Sequence, residues 1–222
     1  MVLAREITKF LFNLKLPFEL RNGVEVLDVH KDTKIRQVCR AFYNKFYSDD
    51  DTRRLMIGIN PGRFGGGVTG LPFTDPIRLE KDCEIENPFQ KKQELSSVFM
   101  YEMMAAYGGV KKFYGDVYIS AVSPLGFVRQ GKNLNYYDDK ELKEAIKPFV
   151  VKCMEQQLKF GLKRDYCICI GEGENLKYLQ QLNDQYNWFK AIRPVAHPRF
   201  IMQYRLKQKQ QYIESYLSAL GK

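Results

Sequence analysis

Asn60 and Phe64 stand among six glycines and three prolines in the nineteen-residue segment GINPGRFGGGVTGLPFTDP, residues 58–76. The segment follows the apolar run RLMI, so Asn60 lies just beyond a strand end, where a side-chain amide can be held firmly. Pro61 and Pro72 stiffen the loop, and the glycines let backbone N–H groups approach a ligand. Phe64 adds a flat apolar surface. The combination suits a flat heterocycle, with one ring stacked and its edge met by amides. The phosphate-cradling Gly-Lys-Ser/Thr sequence is missing, and glycines at 62, 65, 66, 67 and 70 do not follow the dinucleotide-binding spacing. A second anchor is AHPRF, where His197, one of only two histidines, precedes a proline at a strand end. His30, in DVHKDT, reads as structural.

The elements that must hold these residues follow from periodicity. Helices are expected over 3–14, with Ile7, Phe10, Leu11 and Leu14 on one side, and over 33–47, with Ile35, Val38, Cys39, Phe42 and Phe46 at helical spacing behind a cap at Asp32 or Thr33. Further helices are expected over 91–107, ending at Gly108-Gly109, and over 139–160 after Asp138, with a kink at Pro148. Another follows the GEGE turn, and a basic amphipathic helix runs from HPRF to the end. RLMIGI, DVYISAV, YCICI and part of WFKAIRPVA read as strands, and SPLGFVRQGKN as a loop. Strands alternating with helices imply an α/β fold, a single domain over 1–222 with a central, mostly parallel four-stranded sheet flanked by helices. Ligands of such sheets bind beyond the carboxyl ends of the strands, which places the glycine-rich loop, SPLGF, GEGE and HPRF on one rim.

The composition is that of a folded chain with a basic surface: 45% hydrophobic residues, 14 tyrosines, 15 phenylalanines and a net charge of +9. That charge favours polyanionic partners. No apolar stretch approaches the roughly 18 residues of a membrane span, and the first twenty residues lack the features of a signal peptide. A cytoplasmic protein is expected. The five cysteines form no CxxC pair and read as reduced core residues, with no metal site.

GINPGRFGGGVTGLPF resembles the first motif of the single-strand-selective monofunctional uracil-DNA glycosylases, Gly-Met-Asn-Pro-Gly-Pro-Phe-Gly-Met with a later Gly-Val-Pro-Phe. HPRFIMQYR resembles their second motif, which begins His-Pro-Ser-Pro-Arg. Order and separation agree, over roughly residues 50–205, and the nearer likeness is to the bacterial second subfamily. The resemblance implies a uracil-DNA glycosylase fold, DNA containing damaged bases as partner, a bacterial, nucleoid-associated substrate, no cofactor and no obligate protein partner. It implies that Asn60 positions the attacking water or the sugar, that Phe64 stacks on the flipped base, and that Gly58, Ile59, Pro61 and Gly62 bring backbone groups to the base edge. His197 would hydrogen-bond the base oxygen and stabilise the leaving anion.

Two departures stand out. Where the family has a pyrimidine-reading asparagine, SAVSPL places Ala121, with the shorter Ser120 and Ser123 nearby. Losing the amide loosens selection of uracil and admits xanthine or hypoxanthine. The other is Asp75, which either activates water, as an acidic residue near this position does in relatives of the wider superfamily, or caps the turn before Pro76. Phe200, Ile201 and Met202 would form an apolar wedge filling the gap of the flipped nucleotide. Arg63, Arg199, Arg205, Lys207 and Lys209 would meet phosphates, with Arg129 and Lys132 as further contacts. The expected function is hydrolysis of the N-glycosidic bond of deaminated bases in base-excision repair. Two alternatives are a damage-sensing module that holds a flipped base without cleaving it, and an enzyme of free nucleosides.

Overall fold

The computed structural model describes residues 2–222. Seven strands lie at Val24–Leu27 (β1), Arg54–Gly58 (β2), Val117–Ala121 (β3), Gly126–Arg129 (β4), Lys132–Leu134 (β5), Cys167–Ile170 (β6) and Ile192–Val195 (β7). Ten helices lie at Leu3–Phe12 (α1), Thr33–Phe46 (α2), Gly66–Thr69 (α3), Pro76–Lys81 (α4), Leu95–Tyr107 (α5), Val110–Asp116 (α6), Lys140–Leu158 (α7), Glu174–Tyr186 (α8), Pro198–Tyr204 (α9) and Lys209–Leu220 (α10).

The main sheet is wholly parallel, in the order β3-β2-β6-β7. Leu55, Met56 and Ile57 of β2 and all four residues of β6 are buried. That continuous burial requires helices on both faces, as in parallel sheets generally. At the edge, β7 exposes Arg193 and Pro194, a position where a missing N–H is tolerated. From β2 the chain goes to β3 on one side and later to β6 and β7 on the other. The carboxyl end of β2 therefore faces a topological switch, where a crevice opens. The sheet and its flanking helices form a single α/β domain, with the five free cysteines buried in its core.

The segment 123–133 departs from the expected loop. It contains β4 and the first two of the three residues of β5, and with β1 these build a second, antiparallel sheet in the order β1-β4-β5. The β4–β5 turn places Gln130 at φ +49° and Gly131 at φ +69°, the positive pair that matches hairpin twist. The C-terminal helix is also broken in two: α9 ends at Tyr204, and a 3-10 turn at Leu206–Gln208 leads into α10. Asp139, not Asp138, caps α7, accepting from Leu142 N–H at 2.9 Å, and the helix runs through Pro148. α5 begins at Leu95, four residues later than expected, with Glu94 as its cap.

Candidate active site

A cavity of about 680 Å³ opens at the carboxyl end of β2 and β3. Its walls bring together the loop after β2, the end of β3, the β5 segment and the start of α9. Gly58, Ile59, Asn60, Pro61, Gly62, Phe64, Ala121 and His197 all line it, so most residues expected at the site converge on one space. The pairing of Gly58 with Ala121 continues beyond the strands, as Val122 N–H donates to Gly58 O (2.9 Å) and Ser123 N–H to Ile59 O (3.1 Å).

Asn60 is fixed by three backbone groups. Its Nδ2 donates to Pro61 O and Leu134 O, both at 3.2 Å, and its Oδ1 accepts from Tyr136 N–H at 3.0 Å. The oxygen keeps one lone pair for a further donor.

His197 caps α9. Its Nδ1 accepts from Arg199 N–H at 3.2 Å, so the ring proton resides on Nε2. Burial, with the Arg199 charge second, pulls its pKa from 6.5 to about 4. At neutral pH the ring is therefore an uncharged Nε2–H donor on the cavity wall.

The ring beside His197 is Phe73, not Phe64. Their centroids are 5.9 Å apart with planes at 56°. Phe73 also lies against the end of β2, where a Cβ at Gly58 would stand 3.4 Å from its ring carbons. Its φ of +51° is rare for a non-glycine residue. Ser97 holds this backbone, donating from Oγ to Phe73 O (2.8 Å) while accepting from Asp75 N–H (2.9 Å). Phe64 is 55% exposed at the rim. In the sequence Phe73 is marked only by the GLPF motif, whereas Phe64 stands directly among the glycines.

Asp75 does not line the cavity. It is fully buried, its Oδ1 accepts from Ile77 N–H (2.9 Å) and Arg78 N–H (2.8 Å), and its Oδ2 accepts from Glu94 N–H (2.9 Å). It is the cap of α4. Glu94 is the carboxylate on the cavity wall; its Oε2 accepts from Ser97 N–H at 2.9 Å.

Other expected contacts are redirected. Ser123 is buried off the cavity, its hydroxyl donating to Leu125 O at 2.8 Å. Ser120 lines the cavity, but its hydroxyl turns away to Gln157 Oε1 at 2.5 Å. Asn133, on β5, and Asn135, just after it, also line the cavity. Asn133 Oδ1 accepts from Arg63 N–H at 3.0 Å. The wedge Phe200-Ile201-Met202 does not form: helical spacing in α9 buries Ile201 completely and packs Met202 on the core. Phe200 and Tyr204 are left exposed at the mouth, with Arg199. Arg63, Arg205 and Lys207 are exposed, whereas Lys209 pairs with Glu102 at 2.5 Å. His30 is buried at the inner end, with Nε2 3.0 Å from Gly70 O.

Comparison with known proteins agrees with this geometry. The model of the Uracil DNA glycosylase superfamily matches residues 45–221. The crystal structure of wild-type SMUG2 from Pedobacter heparinus is 42% identical, with a TM-score of 0.96, covering 100% of this chain and 97% of that one. The comparison with curated proteins gives no match. No helix among the described residues is long and apolar enough to cross a membrane. With the superfamily match over most of its length and the single-strand-selective type as its structural counterpart, the chain belongs to the uracil-DNA glycosylase superfamily.

Proposed function

We propose that this chain is a monofunctional DNA glycosylase that hydrolyses the N-glycosidic bond of deaminated bases. The observation that carries the reading is the uncharged Nε2–H of His197 set beside the Phe73 ring on one cavity wall. A base turned out of its stack enters the cavity and lies against Phe73. As the bond from C1′ to the base nitrogen breaks, its electron pair leaves with the base, and negative charge grows on the base oxygen. His197 donates to that oxygen; removing such a donor costs roughly 10²–10³ in rate. An uncharged donor stabilises the anion without first needing to be protonated.

The sugar meanwhile gains oxocarbenium character. A water held by the spare lone pair of Asn60 Oδ1 attacks C1′. Its oxygen forms the new bond to C1′, its surplus proton passes to solvent, and the base leaves as an anion that takes up one proton from solvent. Asn60 orients the water without deprotonating it. No lysine Schiff base and no cofactor enter this scheme.

Two features favour a substrate range of uracil, xanthine and hypoxanthine. Ala121, on the cavity wall, leaves the expected amide out, and the cavity, about 680 Å³ in all, has room for a purine. Exposed aromatic and basic residues at the mouth favour a DNA strand over free nucleosides. The test is a panel of oligonucleotides, each with one damaged base, incubated with the protein and then with alkali. Cleavage at uracil or a deaminated purine supports the reading; an intact panel refutes it.

A further inference from the structure

Phe64 has no part in holding the base in this arrangement, yet it is 55% exposed on the cavity rim. A phenylalanine ring in water forfeits burial free energy, and two cations attend it. The Arg63 guanidinium lies 5.5 Å and the Lys92 ammonium 5.3 Å from the ring centroid. The backbone beneath is fixed. Arg63 N–H donates to Asn133 Oδ1 at 3.0 Å, and Gly67 N–H donates to Phe64 O at 3.0 Å. The ring is thus presented from a braced loop.

The α9 side of the cavity repeats the pattern. Phe200 is 41% and Tyr204 67% exposed, one helical turn apart on α9, with ring centroids 5.8 Å apart. Arg205 lies 5.4 Å from the Phe200 centroid. Exposed rings interleaved with cations are what an unpaired polynucleotide recognises: bases stack on the rings, and phosphates meet the cations. A duplex keeps its bases stacked inside and gives Phe64 no face to cover it.

We propose that Phe64 is a stacking platform for an unpaired nucleotide adjacent to the one in the cavity. Arg63 and Lys92 meet that nucleotide's phosphate, and Tyr204 receives the neighbour on the opposite side. The cavity mouth therefore grips single-stranded DNA through both neighbours of the excised nucleotide. This rests on the reading of the cavity as a base-excision site.

The experiment uses single-stranded and duplex oligonucleotides with a central tetrahydrofuran abasic analogue and the fluorescent base 2-aminopurine on one or the other flank. Wild-type protein should change the 2-aminopurine emission on the flank that meets Phe64. Phe64→Ala and Phe64→Leu should abolish that change and weaken single-strand binding by roughly 5- to 150-fold, the range of one base–aromatic stack. Duplex binding should fall less, and Phe64→Tyr should retain both signals. Thermal unfolding of each variant checks the fold, and Phe64→Leu preserves apolar bulk should the alanine variant not fold. Wild-type affinity of Phe64→Leu for single strand, or equal losses on single strand and duplex, overturns the proposal. Excision is measured in parallel. Wild-type protein that cleaves no damaged base but loses single-strand binding on Phe64→Leu defeats the glycosylase reading and leaves the platform standing. Active excision with Phe64 silent in binding does the reverse.

Discussion

Asp75→Asn separates a structural carboxylate from a catalytic one. Asp75 accepts three backbone N–H groups, two at the start of α4 and one from Glu94. Asparagine keeps an oxygen for α4 but turns an NH₂ toward Glu94 N–H. Loss of the charge at a helix N-terminus removes about 0.3–1 kcal/mol. Leaving Glu94 N–H without an acceptor costs about 1–3 kcal/mol. Together these amount to about 1.3–4 kcal/mol, which at about 2–4 °C per kcal/mol for a chain of this size lowers Tm by roughly 3–16 °C. Rates should suffer only indirectly, through Ser97, which bridges Asp75 N–H and Phe73 O. Single-turnover excision, measured well below the variant's Tm, should stay within about tenfold of wild type, whereas loss of a general base costs roughly a hundredfold or more. An unchanged Tm with a hundredfold slower rate would refute the assignment of Asp75 as a cap.

Other perturbations test the remaining groups. The unfolded chain binds a proton at His197 near pH 6.5 and the folded chain only near 4, so the unfolded state holds more protons between these values. Stability should fall as pH drops from about 6.5 to about 4, and His197→Gln should flatten that slope in a denaturation series; His30, also lowered by burial, accounts for part of the remainder. Excision should hold steady from pH 8 down to about 5.5, because the donor is uncharged throughout; a rise with His197 protonation would contradict it. Neutralising Arg199 and Arg205 should reduce the salt slope of DNA binding by about 0.7–0.9 per residue, while Lys209→Gln, whose lysine pairs with Glu102, should leave it unchanged. Ala121→Asn should shift relative excision rates toward uracil and away from purines; unchanged ratios would show that position 121 does not face the base.

The parallel sheet was legible because β2, β3 and β6 are apolar runs whose neighbours are amphipathic helices, and the rim followed from the carboxyl-end rule. The β4–β5 hairpin was hidden by its turn, in which the non-glycine Gln130 adopts a positive φ that no propensity signals. The wedge expected at Phe200-Ile201-Met202 rests on three consecutive apolar residues, and Pro198 sets them in a helix instead. In the fold Pro198 is the first residue of α9, with His197 as cap, and helical period then turns Ile201 inward and Phe200 and Tyr204 outward. Asp75 before Pro76 carries the same cap-then-proline signature, which supports the capping alternative on sequence grounds. Phe73 outranks Phe64 only once Gly58 and His197 are seen to enclose it, a long-range relation that spacing does not encode.

The central claim is that the target base stacks on Phe73 with its oxygen on His197. It is tested most directly by a crystal structure with single-stranded DNA carrying a 2′-fluorinated uridine, whose electron-poor sugar resists cleavage. The base should lie against the Phe73 ring at about 3.5–4 Å, with His197 Nε2 about 3 Å from a base oxygen and Asn60 Oδ1 facing a water near C1′. A base resting outside the cavity on Phe64, or one whose oxygens face away from His197, would contradict the account.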